Sequence, residues 1–218
     1  MRIVIAGGHG QIALRLERLL AARGDEVAGI IRTPEQADDL RKAGAEPVVL
    51  DLESATVDAV AQALRGADAV VFAAGAGPGS DAARKETVDR AAAVLFADAA
   101  EQAGVRRYLI VSSMGADPTH PGNEVFDAYL RAKGAADEAV RARASLDWTV
   151  LRPGALTNDA GKGLVSLAAS TGHGAIPRDD VAAVLAELLD TPATAGLTLE
   201  LISGSAPVAV AVKGVAGN

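Results

Sequence analysis

The chain has 218 residues, half of them apolar, and a formal net charge of −7, which fits one soluble α/β domain over residues 1–218. The acidic balance argues against nucleic acid as a partner, and the absence of cysteine excludes disulfides, cysteine nucleophiles and thiolate metal sites. The three histidines are dispersed, so we predict no metal site. No apolar run approaches the ~18 residues of a membrane span, and the start lacks a signal sequence, so we expect a cytoplasmic protein without a membrane partner.

Short apolar runs alternate along the chain with longer segments rich in alanine and leucine. This is the pattern of βα repeats, because parallel strands are buried on both faces of their sheet. It predicts an α/β fold with a doubly wound, mostly parallel sheet and helices on both faces. We predict strands over residues 2–6, 27–32, 47–50, 69–73, 107–112, 148–152 and 197–202, and helices over residues 11–23, 34–43, 55–65, 82–103, 124–144 and 178–189. The irregular stretches 75–80, 115–123 and 156–175 follow strand ends and are expected to border a ligand site.

A glycine-rich loop, Gly-Gly-His-Gly-Gln-Ile-Ala, joins the first predicted strand to an amphipathic helix. Gly7 permits a tight turn, Gly10 lets the backbone approach a diphosphate, and the small Ala13 lets helix and strand pack closely. The helix N-terminus offers free N–H groups and a positive dipole end to an anion. A plain turn would need only one glycine, so we predict a Rossmann-type dinucleotide-binding unit. Its cofactor-binding residues are Gly7, Gly8, His9, Gly10, Gln11 and Ile12.

An arginine, Arg32, ends the second predicted strand, about 20 residues beyond the loop, where an NAD-binding unit has Asp or Glu. A guanidinium suits a 2′-phosphate and leaves an NAD ribose without an acceptor, so the sequence favours NADP(H) over NAD. The alternative interpretation of Arg32 is a solvated charge at a strand end. Further along the chain we expect the third strand to end beside the adenine and the fourth beside the diphosphate, although close packing alone also selects small residues there. The residues assigned to these two positions are Asp51 and Leu52, and Ala73, Ala74 and Gly75.

Four sequence blocks together resemble the atypical short-chain dehydrogenase/reductase superfamily, specifically its NmrA-like and biliverdin-reductase-B-like members with one NAD(P)-binding domain. They are the glycine loop and residues 108–116, 129–133 and 148–157, and the resemblance spans essentially the whole chain. It implies that Tyr129 protonates a carbonyl oxygen, that Ser112, or alternatively Ser113, holds that oxygen, and that Lys133 binds the nicotinamide ribose and lowers the pKa of the tyrosine. The four-residue spacing puts Tyr129 and Lys133 on one helix face.

The resemblance also places a turn beside the nicotinamide, ahead of a short substrate-side region of about residues 153–218. The additional cofactor contacts that it implies are Val111, Pro153, Gly154, Ala155 and Leu156. The alternatives for Tyr129 and Lys133 are a half-buried core tyrosine and a solvated lysine. If the substrate instead takes its proton from water, Ser112 matters more than Tyr129.

Together, these residues and the resemblance favour an NADP(H)-dependent oxidoreductase acting on a small carbonyl, quinone, flavin or tetrapyrrole-like acceptor. One alternative is a non-catalytic sensor of the NmrA-like type, which binds NADP and a protein partner. An epimerase or dehydratase acting on a nucleotide-linked substrate is disfavoured, because only about 65 residues follow Pro153. A monomer and a homodimer both remain open. Asp179 and Asp180 are expected to begin a helix rather than to catalyse.

Overall fold

The computed structural model describes residues 1–77 and 79–217. Their secondary structure alternates strands and helices from Arg2 onward. The strands are β1 (Arg2–Ala6), β2 (Glu26–Ile31), β3 (Glu46–Val49), β4 (Ala69–Phe72), β5 (Arg107–Val111), β6 (Asp147–Pro153), β7 (Ala155–Thr157), β8 (Leu164–Ala168), β9 (Ala175–Pro177), β10 (Leu197–Ser203) and β11 (Ala206–Pro207). The α-helices are α1 (Gln11–Ala22), α2 (Ala37–Ala43), α3 (Val57–Leu64), α4 (Ala82–Arg84), α5 (Ala92–Ala103), α6 (Val125–Arg141), α7 (Arg178–Leu189) and α8 (Val208–Ala216). Pro34–Gln36 and Pro192–Thr194 form 3₁₀ turns, and Lys85–Ala91 is π-helical.

Nine strands form one sheet in the order β11-β8-β10-β6-β5-β4-β1-β2-β3, and β7 pairs with β9 beside it. Strands β1 to β6 and β10 are parallel, whereas β8 and β11 are antiparallel to their neighbours. The central strands are apolar along their length because both faces of the sheet are covered. This arrangement confirms the predicted doubly wound, mostly parallel Rossmann-type fold. The strand order reverses between β1 and β4, so a crevice for a ligand forms at their carboxyl ends.

Two apolar cores lie on opposite faces of the sheet. On one face, Leu16 and Leu20 of α1 belong to the same buried cluster as Leu185 of α7. On the other face, Leu64 of α3 and Phe96 of α5 share a second cluster. In the described part of the chain, no helix is both long enough and apolar enough to cross a bilayer.

The predicted strands match β1 to β6, with bounds that differ by at most one residue. The helix predicted over 82–103 is instead divided by the π-helical segment Lys85–Ala91. The prediction missed α8 and the strands within 155–177 and 206–207. The strand β8 alternates buried and more exposed residues, as an antiparallel strand near an edge does, so it lacks the continuous apolar run of the parallel strands.

Candidate dinucleotide-binding site

A cleft of about 290 Å³ opens at the carboxyl ends of β1 to β4, where the strand order reverses. The glycine loop, the segments after β2, β3 and β4, and the helix after β4 contribute its walls. It is lined by Gly7, His9, Gly10, Ile30, Ile31, Arg32, Gln36, Leu50, Asp51, Leu52, Glu53, Ala73, Ala74, Gly75, Ala76, Arg84, Val88 and Ala92. Nine residues predicted to contact the cofactor are therefore brought together: Gly7, His9, Gly10, Arg32, Asp51, Leu52, Ala73, Ala74 and Gly75.

The glycine loop makes a tight turn that holds it against the end of β4. Gly7 has a φ of 76°, and a Cβ there would lie 2.6 Å from the Cα of Ala74, so both the backbone conformation and the space require glycine. The Gly10 N–H donates to the Gly7 carbonyl at 2.8 Å and closes the turn. Gly10 begins α1 without a side-chain cap among the described residues, which leaves the first amides of the helix available to an anion.

The other residues of the loop have mainly structural contacts. Gly8 packs against β2, where its Cβ would lie 2.8 Å from the Cα of Gly29. The predicted cofactor contacts Gly8, Gln11 and Ile12 are not among the residues that line the cleft. His9 does line the cleft, with its Nε2 3.0 Å from Asp39 Oδ2.

Where β2 ends at the cleft, Arg32 lies beside Glu53, a carboxylate that the sequence did not single out. Its Nη1 is 3.7 Å from Glu53 Oε2, and its side chain is 48% exposed. Arg84 Nη2 lies 3.2 Å from the same oxygen, while the Thr87 hydroxyl donates to Glu53 Oε1 at 2.7 Å. This end of the cleft thus holds two arginines and one carboxylate.

Ser112 does not present its hydroxyl to the cleft. The side chain is buried, and the hydroxyl donates to Asp137 Oδ2 at 2.8 Å. Arg152 binds the same oxygen through Nε at 2.9 Å and Nη2 at 2.8 Å. Burial raises the pKa of Asp137, while Arg152 and Ser112 lower it. The neighbouring Ser113 is only half-buried, and its hydroxyl donates to its neighbour's carbonyl at 3.2 Å.

Lys133 is buried below the carboxyl ends of β4 and β5. Its ammonium lies 3.0 Å from the Val111 carbonyl, 3.4 Å from the Ala74 carbonyl and 3.3 Å from Asp89 Oδ1. The ammonium thus donates to two carbonyls and forms an ion pair with Asp89. Asp89 also accepts the Ala76 N–H at 3.2 Å, so the ion pair is tied to the segment that lines the cleft.

Tyr129 is half-buried at the start of α6, and its ring stacks on Phe126 with centroids 5.8 Å apart. The cation over its ring is Lys85, whose Nζ is 5.3 Å from the centroid and donates to the Gly77 carbonyl at 2.9 Å. Among the contacts of the described residues, no hydrogen bond joins Tyr129 to Lys133. The lysine ammonium is held instead by Ala74, Val111 and Asp89, and the catalytic roles of Tyr129 and Lys133 stay predictions.

The turn between β6 and β7 is fixed by backbone contacts. A Cβ on Gly154 would lie 2.3 Å from the Gly174 carbonyl oxygen, and the Ala155 N–H donates to that oxygen at 3.0 Å. The Pro153 carbonyl accepts the Met114 N–H at 3.0 Å, which joins this turn to the segment after β5. The predicted contacts Val111, Lys133, Pro153, Gly154, Ala155 and Leu156 lie outside the cleft's lining.

The family model for NAD(P)H-binding proteins matches residues 7–192. The chain belongs to this NAD(P)H-binding family. The match confirms the resemblance to NAD(P)-binding proteins that the sequence blocks suggested, and it agrees with a cleft that carries a glycine loop at the reversal of the strand order. A nicotinamide cofactor is the ligand class of the family, while the choice between NAD and NADP is not distinguished by it.

Similar proteins cover almost the full length of this NAD(P)H-binding chain. A Bacillus subtilis protein described as an uncharacterized sugar epimerase, YhfK, is 36% identical over 98% of this chain and 99% of its own length. A Bacillus halodurans structure, described provisionally as an NAD-dependent epimerase/dehydratase, has a TM-score of 0.91 and 37% identity over 99% of this chain and 100% of its own. The Escherichia coli O157:H7 anaerobilin reductase ChuY has a TM-score of 0.78 and 26% identity, over 93% of this chain and 97% of its own.

Sequence reasoning missed the acidic partners of the site. Asp89 and Asp137 are fully buried, although both lie in segments predicted as amphipathic helices. The available signal was their helical position, since Asp137 is one turn beyond Lys133 on the same face. Glu53 and Arg84 carried no comparable signal, because their proximity depends on how two segments meet across the cleft. Within residues 1–77 and 79–217, no group of three or more His, Cys, Asp or Glu is arranged to hold a metal ion.

Proposed function

We propose that this protein is an NADP(H)-dependent oxidoreductase that reduces a small carbonyl, quinone, flavin or tetrapyrrole-like acceptor. The proposal treats residues 1–218 as one NAD(P)-binding domain in which residues 153–218 border the substrate. The observation that carries it is the cleft itself, which has a glycine turn at one wall and Arg32 at the end of β2. That arginine supports NADP(H), because a guanidinium pairs with a 2′-phosphate and offers an unphosphorylated ribose no acceptor.

The residues of the cleft fit a dinucleotide. Gly7 and Ala74 approach each other so closely that no side chain separates the loop from the segment after β4. The uncapped start of α1 supplies donors for a diphosphate. Arg32 and Leu52 would hold the adenosine, and the residues beyond Gly75, towards the ends of β5 and β6, would border the nicotinamide.

When bound, the reduced nicotinamide supplies the hydride. We assign the substrate-binding hydroxyl to Ser113 in place of Ser112, because Ser113 is half-buried and only its neighbouring carbonyl competes for its proton. Tyr129 is the candidate to protonate the reduced oxygen. Its ring stacks on the exposed Phe126, and this aromatic face supports a flat acceptor. Lys133 and Asp89 hold the ends of β4 and β5 in register below this region.

The test is turnover of NADPH, followed at 340 nm, with a panel of quinones, flavins, linear tetrapyrroles and aldehydes. We expect reduction of at least one planar acceptor, and a lower kcat for both Tyr129→Phe and Ser113→Ala. Arg141→Gln, at the exposed end of the same helix, serves as the control and should leave kcat unchanged. If NADPH binds but no acceptor on the panel is reduced, the oxidoreductase proposal is wrong.

Two observations favour other candidates, and the same preparation tests both. The names of the two Bacillus relatives favour an epimerase, which would interconvert nucleotide-linked sugars without net consumption of cofactor. The contacts that occupy the Lys133 ammonium, with Asp89 and two carbonyls, favour a non-catalytic sensor, which would bind NADPH without any hydride transfer. Epimerised sugar in an assay with nucleotide-linked sugars would support the first, and cofactor binding without chemistry on any panel would support the second.

A further inference from the structure

Glu53 places one carboxylate oxygen between two guanidinium groups inside the cleft. Arg32 approaches Oε2 from the end of β2 at 3.7 Å, and Arg84 approaches it from the helix after β4 at 3.2 Å. All three residues line the cleft. Since both cations contact the same oxygen, their nitrogens are close enough for a single phosphate group to bridge them.

The contacts of Glu53 do not suit it to bind an unphosphorylated ribose. Its Oε1 already accepts the Thr87 hydroxyl at 2.7 Å, and its Oε2 faces the two arginines. An acid that selects NAD sits at the end of the second strand and offers open lone pairs to the ribose hydroxyls. Glu53 follows β3 instead, and Arg32 occupies the position directly after β2 where an NAD-selecting acid would lie.

The charges around this oxygen also favour an anion of higher charge. Two guanidiniums face one carboxylate, which leaves one positive charge uncompensated within the group. A phosphate monoester carries more charge than a carboxylate and has three oxygens, so it can accept hydrogen bonds from both arginines at once. The side chains of Arg32 and Arg84 are 48% and 37% exposed, so both can turn towards a ligand without leaving a buried position.

We propose that Arg84 is a second specificity-determining residue, which together with Arg32 clamps the 2′-phosphate of NADP(H), and that Glu53 is the counter-ion which this phosphate displaces. The proposal rests on the NADP preference proposed above. When the phosphate displaces the Glu53 carboxylate from the two arginines, Glu53 keeps its hydrogen bond with Thr87. The clamp joins the segment after β2 to the helix after β4, so the phosphate is recognised from both sides of the cleft.

The test measures dissociation constants by isothermal titration with NADPH, NADH, 2′,5′-ADP and 5′-AMP, none of which requires turnover. For Arg84→Gln we expect NADPH and 2′,5′-ADP to bind about tenfold more weakly, as the loss of one charge-assisted contact implies, and NADH and 5′-AMP to be unchanged within twofold. Arg84→Lys should retain part of the affinity. Glu53→Gln removes the competing charge and should tighten NADPH binding several-fold without improving NADH binding.

Arg90→Gln is the matched control, because Arg90 lies on the π-helical segment that directly follows Arg84 but pairs with the exposed Glu86 outside the cleft. It should leave all four affinities unchanged. An equal loss of NADPH and NADH binding in Arg84→Gln would contradict the clamp, and so would an unchanged preference for NADPH. If the unaltered protein binds NADPH and NADH equally, the NADP preference and the clamp are both wrong, whereas a failure to reduce any acceptor leaves these binding results intact.

Discussion

The Lys133 ammonium and the Asp89 carboxylate form a buried ion pair, with Nζ 3.3 Å from Oδ1, below the carboxyl ends of β4 and β5. The lysine is 3% exposed and the aspartate is fully buried. Because Lys133 also binds the Ala74 and Val111 carbonyls, the pair connects α6 to the end of β5, to the π-helical segment and to the segment that lines the cleft. From this position we expect the ion pair to stabilise the fold.

Lys133→Met should therefore lower the free energy of unfolding by about 3–5 kcal/mol, because it leaves the Asp89 charge buried without its partner. The double variant Lys133→Met/Asp89→Leu should regain much of this loss, since no buried charge remains. The measurement is urea unfolding followed by circular dichroism. Lys42→Met is the control, as Lys42 is a surface lysine on α2. A Lys133→Met variant of full stability whose NADPH turnover is abolished would show instead that the lysine acts in catalysis.

Alanine substitutions at Ser112 and Ser113 should distinguish a hydroxyl that stabilises the fold from one that binds the substrate. Ser112→Ala removes a donor from the buried Asp137, so we expect a loss of about 1–3 kcal/mol in stability. Ser113→Ala removes no buried contact and should leave stability unchanged, while kcat with the best acceptor falls. Urea unfolding and steady-state kinetics on both variants provide the comparison. The assignment fails if kcat falls for Ser112→Ala alone.

The sequence predicted those features that depend on neighbouring residues in the chain. The strands β1 to β6 are short apolar runs, and the glycine loop and Arg32 lie at fixed distances after β1 and β2. By contrast, Asp89 and Lys133 are far apart in sequence, and their pairing depends on the π-helical turn and on the packing of α6. The contact between Glu53 and Arg84 likewise depends on two segments meeting across the cleft. Such tertiary contacts leave no periodic pattern in the sequence.

Gly7→Ala should cost both stability and cofactor binding. The φ of 76° is unfavourable for alanine, and the added Cβ would lie 2.6 Å from the Ala74 backbone. Gly24→Ala is the matched control, because Gly24 also has a positive φ, 91°, but its Cβ would meet nothing within 4 Å. Both variants should lose about 1 kcal/mol from backbone strain. We expect an additional loss of stability and of NADPH affinity, measured by thermal melting and titration, for Gly7→Ala alone; equal losses in the two variants would contradict the close approach of the loop to β4.

A buried carboxyl behind the glycine loop should make stability depend on pH. Glu17 is fully buried on α1, and neither of its carboxyl oxygens has a hydrogen-bond partner in the described structure. Burial raises its pKa from 4.5 to about 8, with the nearby Arg18 charge opposing the shift. The group is therefore protonated in the folded protein, and ionised in the unfolded chain, between these two values.

Because the folded state then binds one more proton than the unfolded state, the contribution of Glu17 to stability is fully present below pH 4.5 and is lost as the pH rises towards 8. The expected slope is about −1.4 kcal/mol per pH unit in the free energy of unfolding. Glu17→Gln keeps the shape of the protonated acid and should remove this slope, so that the variant is the more stable protein above pH 8. Urea unfolding at intervals from pH 5 to 9 measures the difference between the two proteins, which isolates Glu17 from the other titrating groups. Parallel pH profiles would mean that the carboxyl ionises in the folded protein near its ordinary pKa, with water or a cation reaching it behind Gly8.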